Sequence, residues 1–135
     1  RRTGRDETII YDIAKASVGT GYDLNKLLIT INNESGFNRF AKAQGSSATG
    51  LSQFLDQTWL AYMKQHGAGA GHAQQAAAIR FDADKKKYVV DGGDSKRQEI
   101  LNLRYDTYTA AYMTARYNQN TERTTGSTDM AAVYK

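Results

Sequence analysis

The sequence contains no cysteine and no proline. Without cysteine, neither a disulfide framework nor a thiolate metal site is available, and both reducing and extracytoplasmic compartments remain open. Without proline, the breaks between helices fall to the 12 glycines. No apolar run approaches the roughly 20 residues that a membrane-spanning helix requires, so we expect no membrane span in this chain.

The chain also lacks the features of several common functional classes. Its net charge of +4 is small, and its aromatic residues do not alternate with lysine and arginine, so we expect no nucleic-acid partner. A mild positive charge instead favours loose association with an anionic polymer. His66 and His72 stand apart from each other, and no His-Glu-x-x-His motif is present. We therefore expect no metal site and no cofactor.

Apolar residues at helical spacing predict a mainly α-helical fold with at most a minimal β-hairpin. Asp23 and Asp106 are expected to cap helices, and Ser95 with Gln98 has the spacing of a capping box. Residues 36–49 are predicted to form a loop or a minimal hairpin, and "KKYVVDGGD" (86–94) a small strand and turn. "TDMAAVY" (128–134) is predicted to begin a further helix.

We interpret residues 1–135 as one domain. Because the chain begins with Arg1-Arg2 rather than methionine, we expect a mature form or a domain excised from a longer polypeptide. A targeting signal would then lie outside this sequence, as would a C-terminal helix that closes the structure.

The stretch "ITINNESGFN" (29–38) places a glutamate at the end of an apolar stripe. Glu34 lies three residues after Ile31 and is therefore on the same helix face, and Gly36 is a natural terminator of that helix. Apolar neighbours and the negative end of the helix dipole both favour the protonated acid. A neutral carboxylic acid can protonate a leaving-group oxygen, as in glycoside cleavage. The alternative is an ordinary solvent-exposed Glu34.

A second stretch, "SSATGLSQFLDQTW" (46–59), is predicted to begin a helix at Gly50. Leu51, Phe54 and Leu55 would then face the core, with Gln53 off the buried stripe in the first turn. Gly50 would let another group approach the backbone closely, and Gln53 would offer a donor and an acceptor to a polar ligand. Taken alone, Gly50 could equally be a plain turn residue.

Together, "ESGFN", "GLSQF" and the following Thr-Trp resemble the catalytic core of lytic transglycosylases of the soluble-transglycosylase type. That family carries Glu-Ser, then Gly-Leu-Met-Gln, then an Ala-Tyr-Asn element. This chain has Glu34-Ser35, residues 50–53 with Ser52 in place of the methionine, and "ARYN" at 115–118 with Arg116 inserted. The likeness covers roughly residues 20–120. We expect the change at Ser52 to alter a wall of the substrate groove.

The resemblance implies a lysozyme-like fold and peptidoglycan glycan strands as the partner. The family cuts the β-1,4 bond between N-acetylmuramic acid and N-acetylglucosamine without water and leaves a 1,6-anhydromuramic end. It also implies a location in the periplasm or cell envelope, or on a phage virion that delivers the protein to the envelope. The chain would then be part of a larger polypeptide or virion assembly.

The same resemblance implies roles for individual residues. Glu34 would act first as acid and then as base, and Gln53 and the backbone near Gly50 would contact the sugar. Tyr117 would hold the Glu34 carboxyl group or line the groove, although a plain core position is equally open. The supporting polar groups would be Ser35 and Asn118. We expect Phe37 and Trp59 to pack in the core rather than to stack on sugars.

Ordinary glycosidases use two carboxylates, and this sequence offers no obvious second one. Asp56 is expected on the outer face of a helix, and Asp82 lies beyond the glycine-rich "GAGAG" segment (67–71). A single carboxylate agrees with capture of the sugar by its own 6-hydroxyl group. Two alternatives remain: a hydrolytic muramidase, and a non-catalytic peptidoglycan-binding or structural module of a virion or secretion apparatus.

Overall fold

The computed structural model describes residues 4–125, and the helix predicted at 128–134 lies outside these residues. The described part is mainly helical with one small antiparallel sheet, as predicted. Its elements are α1 (Gly4–Thr20), α2 (Leu24–Ser35), α3 (Asp56–His66), α4 (Ala73–Ala77), β1 (Ile79–Asp82), β2 (Lys87–Val90), α5 (Gly93–Leu101), a 3-10 turn (Asn102–Tyr105) and α6 (Thr107–Thr125).

Helix α6 is the central element. Every residue from 109 to 115 is buried, which is expected of a helix surrounded by others rather than of a surface helix. It contacts α1, α2 and α3, and the small side chains Ala110, Ala111 and Ala115 allow close packing. Near the C-terminal end of α6, Glu122 accepts a hydrogen bond from the Tyr22 hydroxyl at 2.6 Å. The core is thus arranged around α6.

Two of the predicted helix caps are confirmed. The Asp23 side chain accepts a hydrogen bond from the backbone N–H of Lys26 at 2.9 Å, and Asp106 accepts one from Thr109 at 3.0 Å. The predicted capping box at Ser95 is wrong, because α5 already begins at Gly93 and Ser95 lies inside the helix. Gly92, with φ +110°, turns the chain into α5 without a side-chain cap.

The predicted helix start at Gly50 is also wrong, because α3 begins at Asp56. Gly50 and Gln53 both have positive φ, +87° and +54°, which a right-handed helix does not allow. The N–H of Thr49 donates to the carbonyl of Phe54 at 3.2 Å and closes a turn between them. Leu51 and Phe54 are nevertheless buried, as predicted, because the turn folds them inward.

Arg104 fixes the loop between α2 and α3. Its side chain is buried, and its guanidinium group donates to the carbonyl oxygens of Ser47 at 2.9 Å, Phe54 at 3.0 Å and Leu101 at 2.9 Å. It also forms an ion pair with Asp56, with 2.7 Å between Nη1 and Oδ1. Burial lowers the pKa of Arg104, and the Asp56 carboxylate opposes this shift by stabilising the charged form.

The antiparallel hairpin pairs Ile79 with Val90 and Asp82 with Lys87. Strand β2 lies within the segment predicted as a strand, whereas its partner β1 was not predicted. The Gln57 side-chain amide donates to the Tyr88 carbonyl at 3.0 Å and accepts from the Tyr88 N–H at 2.7 Å, which joins the hairpin to α3. Among the described helices, none is long and apolar enough to span a membrane.

Candidate active site

A cavity of about 280 Å³ lies where the end of α2, the loop before α3 and the middle of α6 meet. It brings together three of the predicted site residues, Glu34, Gln53 and Tyr117, which are far apart in the sequence. Ala48, Leu55 and Thr58 complete its lining. Its volume is near the lower end of the ~300–1,000 Å³ typical of small-molecule pockets, so it suits a ring-sized part of a longer ligand.

Glu34 lies in the last turn of α2 and is half-buried. The stripe that precedes it is in the core, with Leu27 and Ile31 fully buried. Gly36 ends the helix in the left-handed conformation, as predicted, with its N–H donating to the Asn32 carbonyl at 2.9 Å. Glu34 is the one carboxylate among the described residues that line the cavity.

Tyr117 both packs against the core and lines the cavity. Its ring contacts Phe54 edge-to-face, with centroids 6.0 Å apart, and Tyr62 at 5.4 Å. Burial raises the pKa of the Tyr117 hydroxyl, and electrostatic interactions with Tyr62 and Glu34 raise it further. The hydroxyl therefore remains protonated and able to donate a hydrogen bond to a carboxylate or to a sugar oxygen.

Gln53 is held in the left-handed conformation at the cavity wall. Its Nε2 donates to the carbonyl oxygens of Ala41 at 3.0 Å and Gly50 at 2.9 Å. In these contacts only the amide nitrogen is used, so the amide oxygen is the atom left to accept a hydrogen bond from a ligand. Gln53 was expected to offer a ligand both a donor and an acceptor, but in the structure it offers only an acceptor, which is held in position.

Gly50 does not line the cavity, and the group that approaches it belongs to the chain itself. A Cβ atom at this position would lie 2.3 Å from the Arg104 carbonyl oxygen. The Gly50 N–H donates to the Ala41 carbonyl at 2.8 Å, and the Gly50 carbonyl accepts from Gln53. The expected sugar contact at Gly50 is therefore not formed by these backbone groups, which bond within the chain and position Gln53.

Ser35, Asn118 and Ser52 also lie outside the cavity lining. Ser35 is half-buried at the end of α2, where its hydroxyl donates to the Ile31 carbonyl at 3.4 Å. Asn118 is fully buried, and its Nδ2 donates to the Thr30 hydroxyl at 3.0 Å, so it joins α6 to α2 and does not face a ligand.

The expectation for Ser52 is wrong. Its side chain is buried and hydrogen-bonded to the Thr114 hydroxyl, so it is a contact between the loop and α6 and not a groove wall.

The two downstream acids are both occupied elsewhere. Asp56 pairs with Arg104 and, at 3.5 Å, with Arg97. Asp82 lies in the hairpin turn, where backbone N–H groups of Lys85 and Asp84 hold the pKa of its carboxyl group below its usual value. Trp59 is fully buried and donates to the Ile100 carbonyl at 2.9 Å, which agrees with the expected packing role.

Leu55 and Thr58 are site residues that the sequence did not indicate. Periodicity placed Leu55 in the core, but it is 48% exposed at the cavity wall because α3 begins after it. The backbone of Gln53, with φ +54°, is strained at the cavity wall, as is common at functional sites. The other described non-glycine residues with positive φ lie outside the lining: Phe37 after Gly36 and Lys86 in the hairpin turn.

Comparisons with protein-family models, curated proteins and solved structures find no match to this chain. The resemblance to lytic transglycosylases therefore depends on the sequence motifs alone. Among the described residues, no group of three or more histidine, cysteine or acidic side chains could hold a metal ion.

The close approach at Gly50 predicts a large loss of stability for Gly50→Ala. The added Cβ would clash with the Arg104 carbonyl at a positive φ, so we expect the free energy of unfolding to fall by roughly 2–5 kcal/mol in urea titrations. Gly45→Ala is the matched control in the same loop, since Gly45 has φ +80° but no atom within 4 Å of its Cβ position. We expect about 1–2 kcal/mol there. Equal losses at the two positions would contradict the close contact.

Proposed function

We propose that this protein is a peptidoglycan lytic transglycosylase that cleaves the β-1,4 bond between N-acetylmuramic acid and N-acetylglucosamine. The observation that carries the proposal is the meeting of Glu34, Gln53 and Tyr117 around one cavity. These residues belong to three motifs that resemble the family's, in three separate segments of the chain. A chance likeness in short motifs gives no reason for their side chains to line one cavity.

In the proposed reaction, the protonated Glu34 carboxyl group donates its proton to the glycosidic oxygen as the bond from that oxygen to C1 of the muramic sugar breaks. The resulting Glu34 carboxylate then accepts the proton of the same sugar's 6-hydroxyl group. The 6-oxygen bonds to C1, which closes the 1,6-anhydro ring and returns the proton to Glu34. No water is consumed, and the enzyme ends in its starting protonation state.

The positions of the other carboxylates support a reaction that uses Glu34 alone. A two-carboxylate glycosidase needs a second acid on the far side of the sugar, about 5–9.5 Å from the first. Glu34 is the only acid among the described residues that line the cavity, and Asp56 is committed to the buried guanidinium group of Arg104. Intramolecular capture by the 6-hydroxyl group requires no second carboxylate.

The surrounding residues would orient the acid and the sugar. After Glu34 has given up its proton, the Tyr117 hydroxyl can donate a hydrogen bond to the Glu34 carboxylate. This hydrogen bond stabilises the negative charge on Glu34 until the proton returns. The Gln53 amide oxygen can accept a hydrogen bond from a sugar hydroxyl or an N-acetyl N–H group. The exposed side chain of Leu55 offers an apolar surface to a sugar ring.

A protein with this activity must reach the cell wall. We therefore propose that it acts in the periplasm or cell envelope, or that a virion delivers it there as part of a larger polypeptide or assembly. Its mild positive charge favours association with an anionic envelope polymer.

We expect Glu34→Gln to remove wall clearing while leaving the fold intact, because glutamine keeps the shape of the side chain but cannot transfer a proton. The turnover rate on purified peptidoglycan should fall at least about a hundredfold. Glu7→Gln is the control, as it makes the same change at an exposed position on α1. A Glu34→Gln variant that clears walls at the parental rate would overturn the proposal. A folded parental protein that binds walls without clearing them would favour the non-catalytic module.

We expect Tyr117→Phe to lower turnover about tenfold, because it removes one hydrogen-bond donor from the site and keeps the ring that packs on Phe54. Tyr62→Phe is the matched control: its ring belongs to the same cluster, but its hydroxyl group accepts from Asn120 at 3.1 Å instead of lining the cavity. Turnover and urea stability are measured for both variants. Equal effects on turnover would show that the Tyr117 hydroxyl has no particular role.

A further inference from the structure

A second cavity, of about 260 Å³, lies between the hairpin, the first turn of α3 and the start of α5. Three cationic side chains line it, Lys85, Lys87 and Arg97, against one carboxylate, Asp94. Lys85 and Lys87 are exposed, and neither forms an ion pair within 4 Å with another described residue. Arg97 is paired with Asp56 at 3.5 Å, so the positive charge in the cavity that no described carboxylate pairs within 4 Å belongs to the two lysines.

Two of the three cations lie on regular secondary structure, and Lys85 lies in the hairpin turn. Lys87 is the first residue of β2 and pairs with Asp82 in the register of the hairpin, while Arg97 is in α5. The Gln57 side chain fixes the Tyr88 backbone through two hydrogen bonds, so β2 is attached to α3 next to the cavity. Binding an anion here would require only that lysine side chains be ordered on a backbone that is already fixed.

The two cavities border the same short stretch of chain. Leu55 and Thr58 line the cavity of Glu34, and Gln57 lines the second cavity. Gln57 and Thr58 are consecutive residues of α3, so the linings of the two cavities adjoin in the first turn of this helix. A branched ligand whose main chain occupies the first cavity would then direct its side branch towards the second.

We propose that the second cavity binds a carboxylate of the peptide stem that branches from the glycan strand. This inference rests on the proposed function, because it takes the glycan to lie beside Glu34. While the lactyl carboxyl group of the muramic sugar is amide-bonded to the stem, the glycan carries no charge and gives the lysines no partner. The peptide stem branches from the muramic sugar at the scissile bond and carries free carboxylates, for which Lys85, Lys87 and Arg97 are suitable donors.

The test compares the binding of two variants to three preparations of peptidoglycan. Both variants carry Glu34→Gln so that no substrate is consumed; one adds Lys87→Gln and the other adds Lys86→Gln. Lys86 lies between Lys85 and Lys87 in the sequence, and its substitution removes the same charge, but Lys86 does not line the cavity. The preparations, all freed of phosphate polymers, are strands with intact stems, strands whose stem carboxylates have been amidated, and strands stripped of their stems. In the stripped strands, the lactyl carboxylates that stem removal exposes are also amidated, so that the glycan carries no charge.

On strands with intact stems, we expect Lys87→Gln to weaken binding about two- to fivefold relative to Lys86→Gln, which is the size of one exposed ion pair. On amidated and on stripped strands the two variants should bind equally. Equal binding to intact stems would overturn the inference. A loss at Lys87 that persists on stripped strands would also overturn it, since the cations would then act on the glycan itself.

The outcome is separable from that of the proposed function. Cleavage by the parental protein, with no difference between the Lys86 and Lys87 variants, would refute the stem site and leave the enzyme assignment intact. A stem-dependent difference with no cleavage by the parental protein would support the stem site and refute the enzyme assignment.

Discussion

The buried guanidinium group of Arg104 is the constraint on which the site depends. An unpaired charge in this position would be costly, and the chain satisfies it with three carbonyl oxygens and the Asp56 carboxylate. Two of these carbonyls, from Ser47 and Phe54, belong to the loop that lines the cavity of Glu34. Removing the charge would therefore release the loop, whereas the charge in place fixes a segment with little regular secondary structure. The acid–base chemistry proposed for Glu34 depends on this tether, although Arg104 itself does not line the cavity.

The tether also divides the acidic groups between two tasks. Asp56 neutralises Arg104 and begins α3, which leaves Glu34 as the carboxylate at the cavity. Glu34 lies at the carbonyl end of α2, half-buried beside the buried stripe of that helix. In the proposed reaction one group performs both transfers, so a residue that can exist in either state is an advantage.

Sequence patterns correctly predicted the features that depend on interactions between residues close together in the sequence. The stripe ending at Glu34, the caps at Asp23 and Asp106 and the terminator Gly36 all follow from helix geometry and hydrogen bonding over a few residues. The start of α3, the exposure of Leu55 and the burial of Ser52 were predicted wrongly because Arg104, about 50 residues further along the chain, pulls the loop into a turn. Periodicity cannot distinguish that turn from a helix, since Leu51 and Phe54 are buried in both. The second cavity was missed for a different reason: it depends on a hairpin whose strand β1 has no clear sequence pattern of its own.

The most direct test of the central claim is mass spectrometry of the fragments that the protein releases from peptidoglycan in water enriched in heavy oxygen. Transfer of the proton by Glu34 followed by capture by the sugar's own hydroxyl group predicts fragments with a 1,6-anhydromuramic end. These are lighter by one water than hydrolysis products and contain no solvent oxygen. Fragments that carry a heavy oxygen at the cleaved end would contradict this mechanism and identify a hydrolase, and the release of no fragments by a folded protein would contradict the enzymatic assignment altogether.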